Sequence, residues 1–340
     1  MSILKVYTTF QCSAECDHCY LWCAREPLPA ISHELVVSTV AELRRLNGLE
    51  HVTLFGGEPG LVPELVHGLA RAIRGLGVTV SVETNACWAT DHARARAFLE
   101  PLFDIGVRVS LSLDAFHEPF VAPECVAIAA EMCEELGGNY CLAMPWVDFE
   151  KRDTEPDHRT AELLVWLKQR VPHMPGLHIW EEPVYFKGRP AYRLAHLVSK
   201  GRGVPEVVCD TTPWGPNGSQ RSLAFLALDP EGYLSKECGI VIGNVRRDSV
   251  QDVLEAFDPE SHPVLATLIA SGPLGLAREA EEFGFTLKED YADKCHLCEE
   301  ARRALRPKYP EYLLPQQHYA EDSGHRSGQR WNTAPSEVNQ

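Results

Sequence analysis

The sequence has no long apolar run and no excess of positive charge, and each absence excludes a class of protein. No stretch reaches the roughly 18 consecutive apolar residues that a membrane-spanning helix needs, so no membrane partner is expected. Lys and Arg number 32 against 48 Asp and Glu, a formal net charge of −16. A nucleic-acid-binding surface neutralises phosphates with clustered cations, and without such a cluster no nucleic-acid partner is expected. The acid excess serves solubility and, through the field it generates, favours cationic partners. The opening MSILKVYTTF lacks the basic region and apolar stretch of a secretory signal, which leads to the expectation of a cytoplasmic protein.

What the chain has in abundance is cysteine, 12 in 340 residues. In a reducing compartment that number points to metal or redox chemistry rather than to disulfides. Cys12, Cys16, Cys19 and Cys23 crowd into QCSAECDHCYLWC near the start. Cys209, Cys238, Cys295 and Cys298 lie in the last third, and Cys87, Cys125, Cys133 and Cys141 are scattered between.

Hydrophobic periodicity divides the first two-thirds into alternating short β-rich runs (4–9, 51–55, 78–83, 107–113, 140–143, 177–180) and amphipathic helical patterns (32–46, 63–75, 91–103, 119–136, 157–171). Ser32 is a good cap for the first helix, and Gly75-Leu-Gly77 and Gly137-Gly138 stop two others just before strands. A βα repeat predicts a parallel sheet or barrel, and six units cannot close the usual eight-stranded barrel. The expected fold class is therefore α/β, an open, partial (β/α)6 TIM-like barrel over 1–205. From about Gly201 the pattern changes to Pro- and Gly-rich stretches around short β-like runs at 223–228 and 232–234. This reads as a smaller, loop-rich domain over 206–315, followed by a flexible polar tail over 316–340.

Cys12, Cys16 and Cys19 are spaced C-x3-C-x2-C directly after the first strand. The same spacing marks one face of a helix, where cysteines serve as small apolar residues. The polar surroundings (Ser13, Glu15, Asp17, His18) and the place at a strand's end, where β/α folds keep their active sites, favour a ligand loop instead. Three thiolates bind three irons of a [4Fe–4S] cluster and leave the fourth open. A thiolate from Cys23 would close that position, so Cys23 is assigned to packing.

C-x3-C-x2-C continued as His18-Cys19-Tyr20, together with Phe55-Gly56-Gly57-Glu58-Pro59 after the second strand, resembles the radical S-adenosylmethionine (SAM) superfamily. The resemblance implies that Cys12, Cys16 and Cys19 ligate the cluster and that SAM chelates its open iron. Gly56, Gly57 and Glu58 would receive the methionyl amino group, the glycines allowing close approach of the backbone. The reduced cluster would cleave SAM to a 5′-deoxyadenosyl radical that abstracts hydrogen from a substrate C–H bond. Such enzymes draw electrons from a flavodoxin- or ferredoxin-type reductant.

Strand alternation extends the expected site. Ser110, Ser112 and Asp114 share one face of the fourth strand, and Ser112 and Asp114 are expected to reach the SAM ribose, which the family pattern also implies. Asp114 as a plain turn cap is the alternative. Glu83 and Asn85 point inward on the third strand, Cys141 on the fifth, and Glu181 or Glu182 ends the sixth. Asn85 is counted with the cofactor-binding residues, and Glu83 and Cys141 are the expected catalytic pair. An acidic wall suits a substrate bearing amines.

The knuckle Cys295-x2-Cys298 with Cys238 and Cys209 is compatible with zinc or with a second iron–sulfur cluster. Residues 228–254 resemble the C-terminal extension of SPASM/twitch radical SAM enzymes, although five residues rather than the usual four separate Gly232 from Cys238. Four cysteines would suit the shorter, one-cluster form. The resemblance implies dehydrogenation or epimerisation of a polar, amine-bearing small molecule such as an aminocyclitol or aminoglycoside, in antibiotic biosynthesis. Cys141 would be the hydrogen donor if the outcome is epimerisation. Modification of a ribosomally made peptide is the alternative, and the extra peptide-recognition region such enzymes often carry is not found before the first strand.

Overall fold

The computed structural model describes residues 2–209 and 225–319. Strands and helices alternate as the periodicities predict: β1 (Ser2–Tyr7), α1 (His33–Asn47), β2 (Leu49–Phe55), α2 (Pro63–Gly75), β3 (Thr79–Thr84), α3 (His92–Phe103), β4 (Arg108–Ser112), α4 (Pro123–Glu135), β5 (Tyr140–Trp146), α5 (Glu155–Arg170) and β6 (His178–Pro183). Local chemistry sets the boundaries. The Ser32 side chain accepts the Leu35 N–H at 3.3 Å to start α1, and Gly48 at φ 64° ends it. Asp91 caps α3 in the same way, accepting from the Arg94 N–H at 2.8 Å.

Strands β1 to β6 pair in parallel and in chain order, giving an α/β partial barrel. Alternation then separates two environments. Leu4, Val6, Val52, Leu54, Val82, Val109, Leu111 and Leu142 point outward and are fully buried against Val36, Val40, Leu69 and Ile73 of the helices. Each such side chain contributes about 1.5–3 kcal/mol on burial, so this outer layer holds the fold. The inner face instead carries Thr53, Ser81, Glu83, Ser110 and Ser112, which line a cavity rather than pack.

The rest of the chain is built onto the same sheet. Strand β7 (Phe225–Leu228) pairs in parallel with the free edge of β1, and β8 (Tyr233–Ser235) and β9 (Val241–Asn244) add antiparallel, so one nine-stranded sheet runs β6-β5-β4-β3-β2-β1-β7-β8-β9. Helices α6 (Arg189–Arg193), α7 (Val250–Ala256), α8 (Pro263–Ala280) and α9 (Lys294–Leu305) complete the described chain. Leu265, Leu268, Leu276, Leu297 and Leu305 form a second apolar core between α8 and α9. Of the tail expected over 316–340, Gln316–Tyr319 makes a 3₁₀ turn that buries Tyr319 beneath Arg302, and 320–340 lie outside the described residues. Among the described residues no helix is long and apolar enough to cross a membrane.

Candidate active site

Past β1 the chain makes a loop that returns beside its own start. Thr9 bridges Ala30, the Ile31 N–H donates to the Thr8 carbonyl at 2.8 Å, and the Cys12 N–H donates to Ala24 at 2.7 Å. Cys12, Cys16 and Cys19 are carried on this pinned loop, and all three face the cavity. They therefore do not form one face of a helix.

The Gly-Gly-Glu-Pro segment is what docks the loop. The Gly57 N–H donates to Thr9 at 2.7 Å and the Glu58 N–H to Gln11 at 2.9 Å. A Cβ on Gly57 would lie 1.9 Å from the Gln11 carbonyl oxygen, and one on Gly56, at φ 128°, 2.6 Å from that of Thr9. The glycines are thus required by the cysteine loop's own backbone, where the sequence reading invoked approach to a ligand. The Glu58 side chain is likewise committed to the protein's own backbone and side chains. Its side chain is fully buried away from the cavity, accepting from the Gly60 N–H at 2.7 Å, the Thr84 hydroxyl at 2.6 Å and the Asn85 N–H at 2.8 Å. Burial pushes its carboxyl upward, partly offset by those three donors. The carboxylate ties the end of β2 to the end of β3 and leaves only backbone to face a ligand.

That tie positions Asn85, whose Nδ2 lies 3.6 Å from the Cys12 sulfur and donates to the Ser13 hydroxyl at 3.0 Å. Asp114 is committed otherwise than expected. One oxygen accepts the N–H groups of Phe116 and His117 at 2.9 and 3.0 Å, and the other bonds His117 Nδ1 at 2.7 Å. Despite burial, which opposes ionisation, His117 holds the Asp114 carboxyl below its ordinary range. Asp114 is the turn cap and an anchor for His117, which in turn hydrogen-bonds Cys16. Ser112 lines the cavity with no hydrogen bond among the described residues, so its hydroxyl is free for a ligand.

The three thiols are not equivalent. Burial pushes Cys12 and Cys16 up. A hydrogen bond from the Cys23 thiol, against burial, pulls Cys19 down. Cys23 is packed as expected, and it also stabilises the Cys19 thiolate. From the segment that follows β6, Arg189 donates to the carbonyls of Cys16 at 2.8 Å and Cys23 at 2.7 Å. Its guanidinium is buried with no carboxylate partner among the described residues. A buried cation without a counter-ion is costly, and three thiolates carrying an iron–sulfur group are the anion within its reach. The donor set therefore fits a [4Fe–4S] group.

Beneath the loop opens a cavity of about 640 Å³. Gly57, Asn85 and Ser112 line it together with Glu83 and Cys141, facing inward as alternation predicts. Two lining residues escaped sequence reasoning. Lys5 of β1 pairs with Glu237 at 2.8 Å, and Glu237 reaches in from the turn between β8 and β9. Burial would lower the Lys5 ammonium, but Glu83 and Glu237 overcome it and hold Lys5 protonated. Glu182 is the acid that enters from β6, raised by burial and then by the Glu83 charge. Glu181 points away and pairs with Arg152 at 2.8 Å.

The back cysteines also converge. Cys295 and Cys298 occupy the first turns of α9, started by the Asp293 cap to the His296 N–H at 2.8 Å. Cys238 sits in the β8–β9 turn. Cys209 is admitted because Gly272 has no Cβ, which would lie 2.0 Å from the Val207 carbonyl. Burial pushes the Cys298 thiol up to about 12 against the pull of Arg302, with Cys238 and Cys209 close enough to add to it. Arg302 also donates to the Cys238 carbonyl, and Lys236, lowered to about 8 by burial, lies beside them. Four thiolates around zinc or a cubane leave net negative charge; Lys236 is the cation beside them, while Arg302 is also paired with Glu299 at 2.7 Å.

No curated protein matches the sequence. Among solved structures, anSMEcpe with bound AdoMet and Kp18Cys peptide aligns over 90% of this chain and 97% of its own, at 14% identity and a TM-score of 0.51, a likeness of fold. SuiB of Streptococcus suis bound to S-adenosylmethionine aligns over 94% of this chain and 77% of its own, at 13% identity and a TM-score of 0.48. BtrN in complex with AdoMet and 2-DOIA aligns over 88% and 92%, at 12% identity and a TM-score of 0.45. Residues 6–139, from the first strand to just before the fifth, match the family model of the radical SAM superfamily.

Proposed function

We propose that this chain binds a [4Fe–4S] cluster through Cys12, Cys16 and Cys19, holds SAM on it, and removes hydrogen from a C–H bond of a polar, amine-bearing small molecule. Aminocyclitols and aminoglycosides are the substrate class, and the outcome is oxidation of a secondary alcohol or epimerisation. When bound, the cluster and SAM supply the radical; the protein supplies position, charge and exclusion of water. The observation that carries the reading is the cavity: its roof is the cysteine loop with Gly56 and Gly57, and its walls present Glu83, Glu182 and Glu237.

In this reading the backbone at Gly56 and Gly57 receives the SAM amino group and the free Ser112 hydroxyl serves the ribose. Asn85 is held against Cys12 and bounds the same space. The carboxylates receive the substrate ammonium, and Glu83 accepts the hydroxyl proton if the product is a ketone. Cys141 returns hydrogen if the product is an epimer; it lines the cavity and is buried. Cys209, Cys238, Cys295 and Cys298 would hold an auxiliary [4Fe–4S] cluster, which when bound would supply an electron acceptor for the oxidation. A flavodoxin- or ferredoxin-type protein supplies electrons to the front cluster.

Anaerobic reconstitution tests both centres together. About eight irons and eight sulfides per chain are expected for two cubanes. Recovery of about four irons with one zinc would remove the auxiliary cluster and, with it, the electron-accepting step.

A further inference from the structure

We propose that Arg189 is the counter-charge of the cysteine loop: it clamps the loop around its iron–sulfur group and raises that group's reduction potential. The inference rests on the reading that Cys12, Cys16 and Cys19 hold a [4Fe–4S] cluster.

Arg189 stands 173 positions from Cys16 and opens the short helix that follows β6. The chain reaches the loop because residue 188 is glycine. Gly188 sits at φ 66°, and a Cβ there would lie 2.3 Å from the Tyr20 carbonyl oxygen. The Arg189 N–H then donates to the Cys19 carbonyl at 3.2 Å. Its guanidinium spans the turn, one nitrogen on the Cys16 carbonyl and the other on that of Cys23. Three contacts thus bracket the segment that carries Cys16 and Cys19.

This geometry separates two roles. The planar fork fixes two carbonyls at once, which an ammonium on a flexible stem cannot reproduce. The charge is a second matter. Its hydrogen-bond partners are all backbone carbonyls, and the guanidinium packs over the Trp22 ring at 5.4 Å. Carbonyl dipoles offset part of a buried cation's lost hydration, and a net anionic group beside it offsets more. Reduction adds a negative charge to that group, so a fixed cation alongside favours the reduced form.

Two substitutions resolve the roles. Both are made in the full chain, reconstituted anaerobically, with folding checked by circular dichroism. The midpoint potential is read from the electron paramagnetic resonance signal that shifts when SAM is added, which identifies the front cluster. Arg189→Lys keeps the charge and loses the fork. It is expected to hold the wild-type potential but to release iron to a chelator at least about tenfold faster. Arg189→Met loses both, and one-electron reduction should become at least about tenfold less favourable, a midpoint about 59 mV more negative. A loaded Arg189→Met protein with the wild-type potential overturns the electrostatic role. An Arg189→Lys protein that keeps iron like the wild type overturns the clamp, and this comparison decides the proposal should Arg189→Met fail to fold. Failure of the underlying reading looks different: the wild-type protein would then hold no SAM-sensitive cluster at all.

Discussion

Gly57 shows how a single residue can have a structural reason that its motif does not announce. Its motif points to SAM binding, yet the structure requires glycine because the Gln11 carbonyl occupies the place of a Cβ. Gly57→Ala is therefore expected to push the cysteine loop off β2 and destabilise the fold by about 1–3 kcal/mol or more. Thermal melting of the metal-free protein checks this, and an unchanged transition would show that the clash relaxes freely. Glu58→Ala goes further, leaving the Gly60 and Asn85 N–H groups and the Thr84 hydroxyl without their shared acceptor. A buried donor left unpaired costs about 1–3 kcal/mol, so a loss of about 3 kcal/mol or more is expected in denaturant unfolding. If Glu58 instead served only as a ligand contact, stability would hold while SAM binding fell.

At the scale of elements, the sequence made the barrel legible and hid the assembly of the site. Strand and helix periods are local, so β1 to β6 and α1 to α5 could be read with boundaries off by only a few residues. The inward set Glu83, Asn85, Ser112 and Cys141 followed from alternation once the strands were placed. Lys5, Glu237 and Arg189 were not legible, because each enters the site through a pairing between distant segments. Nothing near residue 237 announces that its turn faces β1, and nothing near Arg189 announces Cys16. Asp114 was ambiguous for a different reason: capping and ligand binding use the same carboxylate, and only the contacts of Phe116 and His117 decide between them.

The β7–β8 turn offers a pH test at this scale. Asp229 is buried, with one oxygen accepting the Glu231 and Tyr233 N–H groups at 2.9 Å and the other without a partner. Burial pushes its carboxyl from 3.8 up to about 8. The folded protein thus binds this proton more tightly than the unfolded chain. Its stabilising contribution is fully present below about 3.8 and is lost as pH rises through about 8. Between those values the slope is at most about 1.4 kcal/mol per pH unit. Asp229→Asn keeps the shape and removes the titration, so its melting temperature should fall less than the wild type's between pH 5 and pH 8. Parallel curves for the two proteins would place the titration elsewhere.

For the whole molecule, one sheet connects two cysteine-rich centres. Strand β1 leads into the front loop on one side and pairs with β7 on the other, and Lys5 of β1 meets Glu237, the neighbour of Cys238. The cavity lies where these parts meet. Glu83, Glu182 and Glu237 bring a few of the 48 acidic residues to its wall, and most of the others lie elsewhere. Glu83→Gln, in the proposed function, should raise KM for an amine-bearing polyol at least about tenfold, equivalent to about 1.4 kcal/mol, and leave the KM of a hydroxyl isostere unchanged, whatever its effect on kcat. Equal effects on both compounds would separate Glu83 from amine recognition.

The central claim is that Cys12, Cys16 and Cys19 hold a cluster on which SAM is broken. Its most direct measurement is 5′-deoxyadenosine released by the anaerobically reconstituted, dithionite-reduced protein, compared with the Cys12→Ala, Cys16→Ala and Cys19→Ala variants. The wild type should form it from SAM and each variant should form none above the protein-free background. A variant that still releases 5′-deoxyadenosine at the wild-type rate, or a loaded wild type that releases none, would contradict the assignment.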